Sequence, residues 1–334
     1  MKKNIEVNTD KRNEENIKVS VLCMAYNHEA YIEKALEGFI NQKTNFGYEV
    51  LIHDDASSDR TVSIIRQYQD RYPNIIKPIF QKENQYSKGV KITRDILTPQ
   101  AKGKYLAFCE GDDYWTDKNK LQVQFDYMEA HPEYAICVHQ STQYDCVHKC
   151  SRTLSRFNED CDVSVNDIIR MGGGCFATNS VFMRKEVYTE MPDCFNAKGF
   201  GDYQLFMYGA IKGKCHFMKK NMSVYNYGTV GSWTDRIYKN TEKRIKHLQE
   251  LIRMLKCVDE YYSGLYSADI IYAISEAEYA LHRLQGNFIK ILNKKYKVFY
   301  MRSRKNGEFP FKECVAVRHP LLFQIKNKVL NNKK

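Results

Sequence analysis

The stretch GKYLAFCEGDDYW, residues 103–115, joins a short apolar run to two adjacent aspartates. The run Tyr105–Cys109 is predicted to form a buried strand, and Asp112 and Asp113 follow it closely. Two carboxylates this close repel each other unless a cation or hydrogen bonds relieve them. The pair therefore indicates either a divalent-cation site or two aspartates that cap the next turn.

The chain before this stretch alternates apolar runs with helical patterns. The predicted strands are Val19–Met24, Tyr48–His53 and Ile75–Phe80, and the predicted helices are Ala30–Ile40 and a segment from Asp59, its N-cap, to Pro73. This alternation predicts an α/β fold, a mostly parallel sheet with helices on both faces. Such sheets bind ligands beyond the carboxyl ends of their strands, where Asp54, Asp55, Asp112 and Asp113 are expected to lie.

The pattern after this stretch is less regular. Asp117 is the predicted cap of a helix at Leu121–Ala130. Further predicted elements are strands at Ile136–His139, Ser180–Met183 and Cys215–Met218, and helical structure from Asn240 to about His282.

A nucleotide diphosphate is often held by a glycine-rich loop at the start of a helix. The turn after the first strand, AYNHEAY at residues 25–31, has no glycine, and the sequence contains no GxxxxGK[ST] motif. This argues against dinucleotide dehydrogenases and P-loop enzymes. The remaining solution is a divalent cation bound by a few carboxylates, with the phosphates completing its coordination.

The composition is that of a folded globular protein: of 334 residues, 43% are hydrophobic and 27% are charged. No apolar run approaches the roughly 20 residues needed to span a bilayer. Residues 1–17 lack the apolar core of a secretory signal and are expected to be a disordered lead-in. Eleven scattered cysteines are typical of free thiols in a reducing compartment, so a cytoplasmic location is expected.

Four segments, taken together in this order and spacing, resemble family 2 nucleotide-sugar glycosyltransferases. They are VSVLCMAYN at Val19–Asn27, HDDASSDRT at His53–Thr61, the stretch at Gly103–Trp115, and GDYQL at Gly201–Leu205. The resemblance implies a GT-A type fold at 18–239, with a nucleotide-binding half at 18–115 and an acceptor half at 116–239, followed by a helical extension at 240–334.

The resemblance also implies an activity. The expected reaction is metal-dependent, inverting transfer of a hexosyl or N-acetylhexosaminyl group from a UDP-sugar, with Mn²⁺ or Mg²⁺ as cofactor. The expected acceptor is a hydroxyl of a cell-surface glycan or a lipid-linked glycolipid intermediate in polysaccharide biosynthesis.

The resemblance implies roles for the individual residues that match the family pattern. Tyr26 resembles the tyrosine that lies against the nucleotide base, and Asp55 the aspartate that hydrogen-bonds the uracil. Asp112 resembles the residue that faces the ribose or sugar, Asp113 the metal ligand and Asp202 the catalytic base. Arg94 corresponds to an arginine near the donor, and Phe176–Lys185 to the strand that lines the acceptor site. From the residue pattern alone, the favoured role of Asp202 is an N-cap for the helix through Leu205–Ala210.

Two positions depart from the family pattern. The usual DGS is DAS here, with Ala56 in place of glycine, which matters if the backbone there needs a positive φ. The segment Met222–Trp233 lacks the histidine or arginine that many relatives use for the metal or diphosphate. An alternative function is therefore a catalytically degenerate nucleotide-sugar binding protein. A zinc site is a further alternative at five closely spaced residues: Cys137, His139, Cys146, His148 and Cys150.

The C-terminal tail carries the whole net charge of +11. Between Gly286 and Lys334 there are 13 Lys or Arg and two Asp or Glu, interleaved with apolar residues such as Phe288, Ile291, Phe309 and Leu322. This composition suits a segment that lies on an anionic membrane surface, and it predicts peripheral attachment at the inner membrane face. Packing of the tail on the body or a homodimer contact are the alternatives. With a neutral body and no nucleic-acid motif, a nucleic-acid partner is not expected.

Overall fold

A computed structural model describes residues 16–307, apart from Ser155, Asn196, Lys198 and Val230. Two compact units are present, the first ending at Asp235 and the second beginning at Arg236. Of the predicted lead-in, residues 1–15 lie outside the described part, whereas Ile17 already belongs to the first strand.

The first unit alternates strands and helices along the chain. Its strands are β1 Ile17–Ala25, β2 Gly47–Asp54, β3 Ile76–Phe80, β4 Tyr105–Phe108, β5 Tyr114–Trp115, β6 Tyr134–Asp145, β7 Cys150–Leu154, β8 Cys161–Val163, β9 Phe182–Arg184 and β10 Lys214–Tyr227. Its helices are α1 Ile32–Ile40, α2 Thr61–Arg71, α3 Lys120–Ala130, α4 Val165–Met171, α5 Lys185–Thr189 and α6 Gly201–Lys212, and α7 Trp233–Tyr238 crosses into the second unit.

Within the described residues the strands form one sheet in the order β3-β2-β1-β4-β9-β6-β10-β5, with β7 beside β6 and β8 beside β10. The strands β3, β2, β1 and β4 are all parallel to one another. Beyond β4 the sheet is mixed, because β9 and β5 pair antiparallel while β6 and β10 run parallel. The predicted α/β fold with a mostly parallel sheet is thus confirmed.

The hydrophobic core explains why the first half could be predicted from its apolar runs. In β1, Val19, Val21 and Cys23 are fully buried on one face, and in α1 Leu36 and Phe39 pack in the same core cluster. Alternate strand residues and helix residues three or four apart thus meet in one apolar layer. The α2 N-cap is Arg60 rather than the predicted Asp59, whose carboxylate instead accepts a hydrogen bond from the Thr61 N–H at 2.9 Å.

Gly103 fixes the position of β4 beside β1. A Cβ at this residue would lie 2.5 Å from the backbone nitrogen of Ser20, so no larger residue fits. The Gly103 N–H donates to the Ser20 hydroxyl at 2.9 Å, and that hydroxyl donates to the buried Glu49 carboxylate at 2.7 Å. This close approach delivers the chain after β4 to the carboxyl end of β1.

Two strands are much longer than predicted. Apolar runs predicted only Ile136–His139 and Cys215–Met218, whereas β6 has 12 residues and β10 has 14. The additional residues are mostly polar, but they pair with each other in parallel register as far as Asp145 and Tyr227. Ser141 and Ser223, which face each other there, are fully buried, so burial in this region is not marked by hydrophobicity.

The second unit is helical, with α8 Thr241–Tyr261, α9 Ser267–Leu284, α10 Phe288–Ile291 and α11 Lys297–Lys305. The predicted helical stretch is broken into α8 and α9 by a turn in which Ser263 and Gly264 have φ values of 50° and 78°. No helix in the described part of the chain is long and apolar enough to cross a membrane.

Some apolar side chains of the predicted tail pack inside this unit. Phe288, Ile291, Tyr296 and Phe299 form a buried cluster with Tyr279 of α9. Four others are 43–60% exposed: Ile289, Leu292, Val298 and Met301. The rest of the tail, from residue 308 onward and including Phe309, Phe311, Leu321, Leu322, Phe323 and Ile325, lies outside the described residues.

Candidate active site

The acidic stretch after β4 continues alongside the end of β1. The Cys109 N–H donates to the Leu22 carbonyl at 3.2 Å, and the Gly111 N–H donates to the Met24 carbonyl at 2.9 Å. A Cβ on Gly111 would lie 2.9 Å from Nδ1 of His28, so glycine permits this close approach. The segment Glu110–Asp113, which we call the acidic turn, therefore lies at the carboxyl edge of the sheet.

Asp113, the predicted metal ligand, lies within the protein, with 1% of its surface exposed. Its Oδ1 accepts a hydrogen bond from the Asn226 N–H at 2.8 Å, and its Oδ2 accepts one from Nδ2 of Asn179 at 3.1 Å. Burial, and then the charges of Asp112 and Glu110, raise the pKa of Asp113 well above its usual range. Both oxygens of the Asp113 carboxylate thus bond the acidic turn to neighbouring segments, through Asn226 and Asn179.

Asp112 is 8% exposed and is held by the end of β10 and the residues that follow. Its Oδ2 accepts a hydrogen bond from the Thr229 hydroxyl at 2.9 Å, and its backbone oxygen accepts one from the Asn226 side-chain amide. The segment Met222–Trp233, which lacks the family's histidine, therefore contacts the acidic turn through an amide and a hydroxyl.

Glu110 is a site residue that the sequence reasoning missed. Its side chain is half-buried and its carboxylate has no hydrogen-bond partner among the described residues. Burial, followed by the charges of Asp112 and Asp202, raises the pKa of Glu110 to about 8. The available signal was a third carboxylate in the same short segment, since Glu110 lies between a predicted strand and the aspartate pair.

Asp202, the predicted catalytic base, is the second residue of α6 and is half-buried. The N-cap of this helix is Phe200, so Asp202 is not the cap, although its Oδ1 accepts a hydrogen bond from the Tyr203 N–H at 2.7 Å. Burial raises the pKa of Asp202 to about 6. The charge of Asp202, about 90 residues later in the sequence, also contributes to the raised pKa of Glu110.

A glycine-rich turn, which the sequence reasoning also missed, lies against Asp202. A Cβ on Gly173 would come within 3.2 Å of Oδ1 of Asp202, whereas one on Gly174 would meet nothing within 4 Å. Gly173 therefore packs closely against the carboxylate, whereas Gly174, the next residue, faces open space. The signal in the sequence was the triple glycine itself.

The predicted donor residues surround the end of β1. Tyr26 follows the strand directly and is 42% exposed. The Asp55 N–H donates to the Ala25 carbonyl at 2.9 Å, which places Asp55 beside Tyr26. The Asp55 carboxylate accepts hydrogen bonds from the N–H groups of Gln85 and Tyr86, at 2.6 and 3.1 Å, so it orders the loop after β3.

Ala56 has a φ of 62°, a left-handed conformation that favours glycine. The family's glycine is therefore absent from a position that does require a positive φ. The turn is kept in place by hydrogen bonds to its flanks. Ser57 donates to the Asp54 carboxylate through its backbone N–H, at 3.0 Å, and through its hydroxyl. The Ser58 N–H donates to Oδ1 of Asn27 at 2.8 Å.

Arg94 lies on a helical turn at Ile92–Leu97 and forms an ion pair with Asp193 at 3.4 Å. Its charge lowers the pKa of Tyr188, although burial raises that pKa overall. Arg94 thus interacts with the segment before α6. Within the described part of the chain it forms no hydrogen bond or ion pair with Tyr26, Asp55 or the acidic turn.

The described residues contain no complete metal-binding cluster of their own. No group of three or more His, Cys, Asp or Glu there could hold a metal ion, and this covers Cys137, His139, Cys146, His148 and Cys150. His148 instead pairs with Asp145 at 2.9 Å. A cation at the acidic turn would have at most two such protein ligands and would take its remaining oxygens from phosphate and water, as Mg²⁺ commonly does.

Comparison with known proteins identifies the family and the fold. The model of the family described as glycosyl transferase family 2 matches residues 20–188, half of the chain. The uncharacterized protein Rv1520 of Mycobacterium tuberculosis is 37% identical over 225 residues, 65% of this chain and 62% of that protein.

Two further comparisons involve proteins whose names state a donor. The UDP-Glc:α-D-GlcNAc-diphosphoundecaprenol β-1,3-glucosyltransferase WfaP of Escherichia coli is 36% identical over 111 residues, 33% of this chain and 41% of that protein. The crystal structure of residues 1–349 of S. aureus TarS in complex with UDP-GlcNAc has a TM-score of 0.53 at 18% identity, covering 87% of this chain and 92% of that one. The matches to the two curated relatives span less than two thirds of their lengths.

Proposed function

This chain belongs to glycosyl transferase family 2, and on that premise we propose that it transfers a sugar from a UDP-sugar to a hydroxyl of a glycan or lipid-linked intermediate, with inversion at the anomeric carbon. The observation that carries the proposal is the arrangement at the end of β1, where the Met24 carbonyl accepts a hydrogen bond from Gly111 of the acidic turn and the Ala25 carbonyl accepts one from Asp55. A nucleoside and a diphosphate bound at this edge would therefore lie next to each other.

Tyr26 and Asp55 are proposed to bind the nucleoside. The exposed ring of Tyr26 offers a face for the base, and Asp55 lies next to it at the end of β1. Both oxygens of Asp55 already accept backbone hydrogen bonds, but a carboxylate has about four acceptor sites, so an imide N–H can still be bound. Arg94 is proposed to act near the donor only after it separates from Asp193.

A divalent cation, Mn²⁺ or Mg²⁺, fits the acidic turn. The Glu110 carboxylate has no hydrogen-bond partner among the described residues and lies two residues from Asp112, and carboxylate oxygens are the ligands these cations prefer. We propose Asp112, assisted by Glu110, as the metal-facing residue in place of Asp113. Asp113 is the more buried of the two aspartates, and its oxygens are engaged by Asn226 and Asn179. When bound, the cation would stabilise the charge that develops on the leaving diphosphate.

Asp202 is proposed as the general base. A base works best when its pKa is close to the working pH, because it is then ionised and still basic enough to take a proton. Burial brings the pKa of Asp202 to about 6, which meets this condition. The carboxylate would accept the proton of the acceptor hydroxyl as its oxygen attacks the anomeric carbon on the face opposite UDP. The open space over Gly174 leaves room for the acceptor beside Asp202.

The second unit is proposed to bind an anionic membrane surface, which suits a lipid-linked acceptor of the kind named for WfaP. Residues 286–307 contain seven Lys or Arg and no Asp or Glu. Among them Val298 and Met301 lie one turn apart on α11 and are 60% and 53% exposed. Apolar side chains beside basic ones can enter the headgroup region, with about 1 kcal/mol per basic residue from the anionic lipid.

Vesicle sedimentation tests this attachment with the full chain. Vesicles containing anionic lipid should pellet the protein at low salt, vesicles of neutral lipid should not, and V298S/M301S should bind less. A full chain that stays in the supernatant at low salt contradicts the attachment. A concentration-dependent doubling of mass that V298S/M301S abolishes would assign the same surface to a homodimer instead.

A nucleotide panel tests the proposed function against a catalytically degenerate binding protein. Thermal unfolding would be followed with UDP, GDP, CMP and dTDP, each with and without Mn²⁺, since a ligand that binds only the folded state raises the unfolding temperature. UDP with Mn²⁺ should give the largest shift, and UDP-sugars should be hydrolysed slowly without an acceptor. UDP binding without hydrolysis or transfer would favour the degenerate protein, and a larger shift with another nucleotide would contradict the donor.

A further inference from the structure

Asn179 is a fully buried residue on the helical turn Thr178–Ser180, within the segment expected to line the acceptor site. Its side-chain amide uses both of its donors. Nδ2 donates to Oδ2 of Asp113 at 3.1 Å and to the Val224 carbonyl at 2.9 Å. The backbone oxygen of Asn179 accepts a hydrogen bond from the Trp115 indole at 3.0 Å.

The amide oxygen of Asn179 is satisfied as well. It accepts hydrogen bonds from the hydroxyls of Ser223 at 2.7 Å and Ser141 at 3.4 Å, and these hydroxyls lie 2.8 Å apart. Only one orientation of the amide meets these partners, because a flipped amide would place its oxygen against a carboxylate and a carbonyl. A buried amide with every position used is rigid, and replacing it leaves its partners unsatisfied.

The bonds of Asn179 connect parts of the chain that are distant in sequence. Ser141 lies in β6, Ser223 and Val224 lie in β10, and Asp113 ends the acidic turn. Asp113 is itself adjacent to Asp112, so fixing the Asp113 carboxylate fixes the direction in which the turn presents Asp112. The other donor to Asp113 is the backbone N–H of Asn226, which leaves Asn179 as the side chain that holds Oδ2.

We propose that Asn179 is a positioning residue that holds the acidic turn, through Asp113, in the orientation that lets Asp112 bind the cation and the diphosphate. This inference rests on the proposed function. It gives the acceptor-side segment, which contains Asn179, a direct part in building the donor site. The reason is that the Asn179 amide donates to Asp113 of the acidic turn. Residues that orient metal-binding side chains commonly change metal affinity by about 10- to 100-fold when they are replaced.

The test measures UDP binding by calorimetry in the whole chain, once with Mn²⁺ and once with EDTA. The ratio of the two dissociation constants is the manganese effect. Asn179→Ser and Asn179→Asp should reduce the manganese effect by about 10-fold or more and leave UDP affinity in EDTA unchanged. Ser141→Ala is the matched control, because it removes a contact to the same amide without touching Asp113, and it should retain the manganese effect.

Other outcomes separate this inference from the proposed function. The positioning role would be overturned if Asn179→Ser kept the normal manganese effect. It would also be overturned if the variant lost as much UDP affinity in EDTA as it lost in Mn²⁺. If both Asn179 variants unfold, Asp113→Asn disturbs the same contact from its other side and must show the same selective loss. If Asp112→Asn keeps the manganese effect, the proposed metal site itself fails. If Asp112→Asn loses it and the Asn179 variants do not, only the role of Asn179 is wrong.

Discussion

Gly173 lies against the carboxylate of Asp202, and a Cβ added to Gly173 would come within 3.2 Å of Oδ1. Contacts of this kind are tighter than ordinary van der Waals packing, so an alanine would displace the carboxylate by a few tenths of an ångström. Gly173 thus packs against Asp202 from a different segment of the chain, and as a glycine it has no side chain.

We therefore predict that Gly173→Ala lowers the rate of sugar transfer, by up to about 10²-fold, because small displacements of a catalytic group are costly. The measurement is kcat for transfer at saturating donor. Gly174→Ala is the control, since its Cβ would meet nothing within 4 Å and its φ of −84° suits alanine. Equal rates for the two variants would contradict the placement of Asp202 at the reacting hydroxyl.

The pH dependence of transfer should follow Asp202. Its pKa, raised by burial to about 6, means that the base is ionised above pH 6 and becomes protonated below it. The rate should therefore be level near pH 7 and fall about tenfold per pH unit well below pH 6. In Asp202→Asn this acid limb should disappear and the rate should fall by about 10²–10⁴, the usual range for general-base catalysis. An unchanged profile in the variant would remove Asp202 from the reaction.

Ala56 should be a site where glycine stabilises the fold. Its φ of 62° is unfavourable for a residue with a Cβ, and the penalty is on the order of 1 kcal/mol. Ala56→Gly should raise the free energy of unfolding by up to about this amount, because the greater freedom of glycine in the unfolded chain offsets part of the gain. Urea unfolding measures it. Ala101→Gly, at a φ of −68°, should be destabilising, and an equal effect at both positions would contradict the explanation.

Lys120 gives a prediction about stability and pH. It is fully buried without a carboxylate partner, its Nζ donates to Oε1 of Gln124 at 2.7 Å, and it lies 4.2 Å from the Trp115 ring centroid. Burial lowers the pKa of Lys120 to about 7. Between this value and its unfolded pKa of about 10.4 the unfolded chain binds one more proton, so stability due to this group rises with pH in that interval.

Lys120→Met removes this titration while keeping most of the volume. The difference in free energy of unfolding, wild type minus variant, should increase from pH 7 to pH 9.5 by at most about 1.4 kcal/mol per pH unit. Urea unfolding of both proteins at the two pH values gives the difference. A difference that does not change with pH would mean that Lys120 is not held neutral by burial.

The sequence predicted the first half of the sheet to within about two residues at each strand end, because β1, β2 and β4 are rich in buried apolar residues. It also located the acidic turn. It could not reveal Asn179 or Lys120, whose importance depends on contacts with Asp113 and Trp115 that are distant in sequence. Hydrophobicity likewise gave no sign of the buried polar ends of β6 and β10. The sequence also could not show that Ala56 has a positive φ, because alanine rarely adopts this conformation.

The most direct test of the account is the manganese effect on UDP binding in the wild type, Asp112→Asn and Asp113→Asn, with the unfolding temperature measured alongside. The account predicts that the wild type binds UDP more tightly with Mn²⁺ than with EDTA. Asp112→Asn should abolish this difference with little change in unfolding temperature. Asp113→Asn should weaken it and also lower the unfolding temperature, because Asp113 bonds to Asn226 and Asn179. An unchanged manganese effect in Asp112→Asn would contradict the account.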